Sequence, residues 1–175
     1  VFDFSPLKNL SNLRSLYLNN TTFSDINLLK VMKKMNWLNL KYTKITHISP
    51  LINLRDLEYL NLSYTKISDI SALEKLTKLI YLNLYGTNIT EVSSLKSFKK
   101  LERLNLGRTK VSDVSPLTGL RQLNTLMLQS SKVEDIKSLK KLKKLTDLSL
   151  SNNSVLKQQV TDLQLVLPRC KITLY

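Results

Sequence analysis

Little in this sequence bends, crosslinks or loosens a chain: 175 residues include three glycines, four prolines and one cysteine. So few glycines and prolines exclude a low-complexity polypeptide, and an apolar content of 42% suits a packed core. A lone cysteine, Cys170, excludes an internal disulfide framework and leaves the redox compartment open. No run reaches the roughly 18 apolar residues of a membrane span, and the first residues carry no secretion pattern. The sequence starts at Val1 rather than a methionine, which fits removal of an upstream segment. There is one histidine, no glycine-rich phosphate loop and no Cys/His ligand spacing, so no cofactor, metal or small-molecule substrate is expected. Acidic residues are also scarce, 13 against 27 basic ones. The net charge of +14 invites an anionic partner: nucleic acid, an acidic lipid surface or an acidic protein.

What is present is a period. Leu57, Leu79, Leu101, Leu123 and Leu145 stand 22 residues apart, and the same step reaches back to Met35 and Leu13 and forward to Leu167. A second column runs from Leu16 to Leu148 and on to Cys170, a third from Leu18 to Leu150 and on to Ile172. Leu-x-Leu alternation makes a short strand with one buried face. Strands one period apart can stack only as parallel neighbours joined by crossovers. The crossovers open on Ser-Pro at Ser5-Pro6, Ser49-Pro50 and Ser115-Pro116, with Ser71 and Ser93 in the same slot, so Ser is expected to cap a short helical turn. The predicted architecture is α/β: a right-handed solenoid with a concave parallel sheet of about eight short strands inside and helical turns on the convex side.

The unit Leu-x-x-Leu-x-Leu-x-x-Thr-x-Ile-x-Asp-Ile-Ser-x-Leu-x-x-Leu resembles the leucine-rich repeat, in the 22-residue class of bacterial internalin-type proteins and a eukaryotic protein-phosphatase regulatory subunit. The match covers essentially the whole chain. The family's usual Asn after the strand is replaced by Thr21, Thr43, Thr65, Thr87, Thr109 and Ser131, returning as Asn153. A hydroxyl there still bonds neighbouring backbone, so the ladder is expected to be altered rather than lost. The resemblance implies protein or peptide binding on the concave face. It is compatible with a bacterial surface, secreted or host-delivered protein, while the sequence itself assigns no compartment.

The period divides the chain into a partial first repeat (1–12), regular repeats (13–155) and a closing segment (156–175), expected to be a capping helix and a last strand within a single domain. Val1 and Phe4 fall in the Ile67 and Ile70 columns, so the chain opens inside a repeat. It is then either part of a longer protein or has an open edge that meets a partner or its own copy end to end.

Candidate reactive groups have plainer explanations. His47 sits in a column otherwise filled by Asp25, Asp69, Glu91, Asp113 and Asp135, a solvated outer row rather than a catalytic or metal site. Cys170 takes a leucine position and reads as a buried thiol. Aromatic placement is the informative feature. Outward strand positions read Ser15, Trp37, Tyr59, Tyr81, Arg103 in one column and Tyr17, Asn39, Asn61, Asn83, Asn105 in the next. Tyr42, Tyr64, Tyr85 and Arg108 lie just past the strands. Phe4, Phe23 and Phe98 fall in core columns, so aromatics without a polar handle go in and those with one go out. Tyr, Trp and Arg dominate interface energetics.

The predicted function is non-enzymatic protein recognition. Tyr17, Trp37, Tyr59, Tyr81 and the rim tyrosines anchor a ligand, the Asn row orients it, and Arg103 and Arg108 meet an acid. The alternatives are a binder of anionic surfaces through the lysine-rich edges (Lys44, Lys66, Lys110 and Lys132 on one, the 137–145 run on the other) or a structural segment of a longer protein.

Overall fold

Leu-x-Leu alternation produces a three-residue strand in each repeat, because only the middle residue must point inward. A computed structural model describes residues 2–174; Val1, placed by the sequence in the Ile67 column, lies outside them. Among the described residues the strands are β1 Ser15–Tyr17, β2 Trp37–Asn39, β3 Tyr59–Asn61, β4 Tyr81–Asn83, β5 Arg103–Asn105, β6 Thr125–Met127, β7 Asp147–Ser149 and β8 Lys171–Thr173. They form one open parallel sheet in chain order. Central residues such as Leu60 and Leu82 are fully buried, as are the following Leu62 and Leu84. The outer side carries short 3-10 turns, from Ser5–Asn9 to Lys137–Lys141, that return Leu51, Leu73, Leu95 and Leu117 to the same core. The architecture is the expected right-handed leucine-rich solenoid, concave sheet inside and convex turns outside.

The substituted ladder keeps its hydrogen bonds. Thr43 and Thr65 each donate a hydroxyl to the carbonyl three residues back at 2.7 Å, and Thr87 and Thr109 do so at 2.6 Å. Each hydroxyl therefore ties only its own repeat. Asn153 does more: its Nδ2 donates to Leu128 O at 2.7 Å and Leu150 O at 3.0 Å, and its Oδ1 accepts from the Ser131 hydroxyl at 2.9 Å. An amide has donors and an acceptor at fixed separation and can bridge two turns.

Serine is not the capping acceptor. At Asp69 one carboxylate oxygen accepts the Ser71 N–H at 2.8 Å and the other accepts the Ser71 hydroxyl at 3.0 Å. Asp113 treats Ser115 identically, and Asp3 holds Ser5 at 2.9 Å through both bonds. The aspartates of the acidic row, Asp3, Asp25, Asp69, Asp113 and Asp135, therefore form Asx turns that start the outer turns, because a charged acceptor outcompetes a hydroxyl for the free N–H. The Ser71 and Ser115 N–H donors, then their hydroxyls, hold the Asp69 and Asp113 carboxyls below the ordinary value of 3.8. A carboxylate depressed in the folded state contributes stability that is present above its unfolded value and lost as pH falls through the folded one. The melting temperature is expected to drop as pH falls below about 3.8, the ordinary Asp value, and to drop less in Asp69→Asn/Asp113→Asn. Identical acid profiles would place that sensitivity elsewhere.

The last repeat departs from the period. Register advances by 22 from β1 to β7, but β7 pairs Asp147 with Lys171, Leu148 with Ile172 and Ser149 with Thr173, a step of 24. Ile172 therefore takes the column predicted for Cys170, and Lys171 rather than Arg169 stands beside Asp147. The cause is α1, Lys157–Val166, which replaces a five-residue turn with ten helical residues and lengthens the crossover. Leu163, Leu167 and Cys170 are buried against the end of the core.

Candidate functional site

Adjacent parallel strands lie about 4.8 Å apart, close enough for outward rings in one column to stack. Trp37 and Tyr59 have centroids 3.6 Å apart with planes 2° from parallel, and Tyr59 and Tyr81 are 4.3 Å apart at 4°. Tyr17 joins from the neighbouring column, 6.3 Å from Trp37 and tilted by 36°. Arg103 closes the other end with its guanidinium 5.5 Å from the Tyr81 centroid. The result is a continuous strip across β1 to β5, along an open hollow of about 340 Å³ that Asn36, Glu58 and Ile80 also line. The inner rings spend their faces on one another, so the strip presents edges and hydroxyls to solvent. Burial, then the neighbouring Tyr81, push the Tyr59 phenol above its ordinary value of 10.0, so it stays a neutral donor.

The asparagine row does different work from that expected of it. Asn39, Asn83 and Asn105 each use Oδ1 to accept the N–H two residues on, from Lys41 at 3.1 Å and from Tyr85 and Gly107 at 3.0 Å. Asn61 does the same for Ser63 at 3.0 Å, also accepts the Ser63 hydroxyl at 2.7 Å, and is only 6% exposed. This row closes the strand ends, and Asn61 is withdrawn from the accessible face. The reason is geometric: a three-residue strand leaves its last N–H groups unpaired unless a side chain reaches them. Asn83 retains one link to the strip, donating Nδ2 to the Tyr81 hydroxyl at 3.2 Å.

A second cluster lies on the rim after the strands. Tyr42 and Tyr64 stack at 4.2 Å and 11°, and Tyr85 meets Tyr64 edge-on at 5.1 Å. The Lys41 ammonium lies 5.1 Å from the Tyr42 centroid and 5.9 Å from that of Tyr64. On the other side the neighbouring Tyr85, then Tyr64, hold the Arg108 guanidinium above its ordinary pKa. Glycine makes the room: a Cβ on Gly107 would meet the Tyr85 ring at 2.8 Å, and one on Gly86 the Tyr64 ring at 3.1 Å.

These rim residues occupy a strained backbone position. Asn20, Tyr42, Tyr64, Gly86, Arg108, Ser130 and Asn152 form one column, and all have positive φ, between 49° and 67°. Glycine and asparagine tolerate that conformation, whereas a bulky side chain there costs about 1–2 kcal/mol. The sequence carried a signal for this in the Asn and Gly members of the column. Tyr42, Tyr64 and Arg108 therefore stand where local energetics disfavour them, as residues kept for surface chemistry do. Tyr64→Asn is expected to change stability by less than about 1 kcal/mol, since relieved strain offsets lost ring contacts worth about 0.5–1.5 kcal/mol each. A denaturation curve showing a loss of several kcal/mol would make that ring structural.

The remaining candidates fall away from the strip. His47 is exposed on the outer row. Cys170 is buried, which, with Asp147 nearby, pushes its thiol up to about 11 and keeps it protonated. Among the described residues no group of three or more His, Cys, Asp or Glu converges as a metal site, and no helix is long and apolar enough to cross a membrane.

Comparison with known proteins follows the same lines. The family profile "Leucine Rich repeats (2 copies)" matches residues 77–119. The crystal structure of an internalin, inlF, from Listeria monocytogenes is 30% identical with a TM-score of 0.88, covering 98% of this chain and 57% of its own. Internalin C2 from the same organism is 29% identical with a TM-score of 0.92, covering 97% of this chain and 74% of its own. A leucine-rich repeat protein of Leptospira interrogans is 26% identical with a TM-score of 0.87, covering 96% and 44%. The chain thus spans little more than half the length of the first of these. No match was found among curated proteins. Such repeats are generally protein-interaction modules and typically non-enzymatic. Repeat pattern, sheet and structural neighbours agree: the chain carries leucine-rich repeats and is similar to the internalins.

Proposed function

We propose that this protein recognises another protein or a peptide without catalysis, across the concave strip Tyr17–Trp37–Tyr59–Tyr81–Arg103 and the rim cluster Tyr42–Tyr64–Tyr85–Arg108. The observation that carries the reading is the unbroken stack over adjacent strands, closed by a cation. Rigid rings offer large contact area at little entropic cost, and their hydroxyls remain hydrated until a partner arrives. The strained tyrosines of the rim support the same reading. Because edges and hydroxyls face outward, the partner supplies acceptors: main-chain carbonyls along the strip, and a carboxylate at Arg103 or Arg108. The amides of Asn39, Asn83 and Asn105 orient it, that of Asn83 together with the Tyr81 hydroxyl to which it donates. Asn61 takes no part.

The test is selection of displayed peptides on the intact protein, followed by titration against Tyr59→Ala/Tyr81→Ala. Selected peptides should shift the emission of Trp37, the only tryptophan, and lose affinity for the variant. Peptides that bind both proteins equally would overturn the reading.

A further inference from the structure

Charge is segregated in this molecule. From the last residues of each outer turn toward the next strand the chain runs along one long edge of the solenoid, in segments 8–12, 30–34, 52–56, 74–78, 96–100, 118–122 and 140–144. These seven segments carry fifteen Lys and Arg against two acids, Asp56 and Glu74: a surplus of thirteen in a chain whose whole surplus is fourteen. The rest of the protein is close to neutral. All fifteen basic residues are exposed except Lys140, which is partly so.

Few of these charges are compensated. Among the described residues one ion pair forms, Lys78 to Asp56 at 2.7 Å. Lys34 donates to Asn12 at 2.8 Å, Lys144 to Gln122, and Lys99 to the carbonyls of Lys96 at 3.0 Å and Gly119 at 3.4 Å, all neutral. The carbonyls ending each outer turn account for about one lysine per repeat. They do not account for three at 96–100 or four at 140–144. Between those two rows lies an open hollow of about 610 Å³, lined by Lys99, Gly119, Arg121 and Lys141.

We propose that this edge binds a flexible, linear sulfated polysaccharide, at a site separate from the concave strip. Like charges in successive rows repel one another, and an anionic chain laid along the edge removes that repulsion while releasing its own counterions. Only Leu10 and Ile52 among exposed large apolar side chains lie here, at 44% and 40%, so the edge offers charge without the apolar insertion a bilayer rewards. Its one aromatic, Phe98, is buried, which leaves nothing to stack bases. A rigid duplex meets a convex ridge over a short arc, whereas a flexible chain follows it. Thirteen of the fifteen are lysines: point charges suited to singly charged sulfates rather than the planar forks that select phosphate.

The experiment is titration of the intact protein with heparin at several salt concentrations. Lys99→Gln/Lys100→Gln/Lys143→Gln/Lys144→Gln is compared with Lys44→Gln/Lys66→Gln/Lys110→Gln/Lys132→Gln, which removes equal charge from the opposite edge. The first variant should lose tenfold or more in affinity, with a salt slope shallower by about three; the second should stay within twofold. Equal losses would reduce the effect to net charge. Absence of heparin binding at physiological salt, or tighter binding to duplex DNA or phosphatidylserine vesicles, would also overturn the proposal. Amine acylation of the unsubstituted protein gives a readout independent of variant folding. Heparin should shield Lys99, Lys100, Lys143 and Lys144 but not Lys44 or Lys66, and uniform shielding would count against the edge.

Discussion

Replacing Tyr59 or Tyr81 by alanine is expected to cost about 2 kcal/mol or more of ligand binding, roughly thirtyfold in affinity. The double variant should lose more than either single one but less than their product. The two rings lie 4.3 Å apart, so removing one already exposes and loosens the other, and contacting residues do not contribute independently. Stability will also respond. Sequence pattern alone suggests a cost of about 1 kcal/mol for lost cross-strand packing. The observed geometry raises it, because the pair also gives up the stack on Trp37 and the Arg103 contact. Two stacks at about 0.5–1.5 kcal/mol each and a cation–π contact at about 0.5–1 kcal/mol bring the expected loss to about 1.5–4 kcal/mol. The leucine columns beneath remain intact, so the variant should still unfold cooperatively. Lys140→Glu/Lys141→Glu is the control on the convex side, expected to be nearly neutral for this ligand. A charge variant that loses the ligand while the tyrosine variant keeps it would remove the concave strip from recognition.

Deleting residues 156–175 is expected to lower the melting temperature by at least roughly 10 °C or cause aggregation. The deletion removes three buried side chains, Leu163, Leu167 and Cys170, and uncovers Leu145, Leu148 and Leu150. At about 1.5–3 kcal/mol for each fully buried aliphatic side chain, the two leucines alone account for about 4 kcal/mol. A change of 1 kcal/mol moves the melting temperature of a chain this size by about 2–4 °C. Stacked repeats draw their stability from contacts with the next repeat, so the loss concentrates at β7. Leu163→Asp tests the same contact without shortening the chain, by placing an unpaired carboxylate in an apolar site. A truncated protein as soluble and as stable as the parent would show that α1 and β8 do not protect the core.

The leucine columns made the architecture legible at once. A step of 22 residues maintained from Leu13 to Leu145 can be satisfied in three dimensions only by stacking the turns in parallel, since every turn needs a neighbour on each side to bury the same face. Outward placement of Trp37, Tyr59 and Tyr81 followed from the same parity, because a strand residue next to a buried leucine must face the other way. Periodicity misled only where its physical basis changed. A ten-residue α-helix rises differently from a five-residue turn, and the column of Cys170 moved by two.

Tertiary structure alone decided how the side chains use their polar atoms. The aspartate row became a series of turn starters, and Asn61 a buried strand terminator, because backbone N–H groups at element ends demand acceptors that a linear pattern does not count. Stacking was likewise invisible in one dimension: columns state which rings are neighbours, but only strand spacing states that their faces meet and their edges turn to solvent. The positive φ of Tyr42, Tyr64 and Arg108 belongs to the same class. The sequence determined which residues share a face, since that depends on period alone. The backbone path determined strain, burial and hydrogen-bond partners, since those depend on where each turn of the chain brings its atoms, two residues apart for Asp69 and Ser71 and 22 apart for Tyr59 and Tyr81.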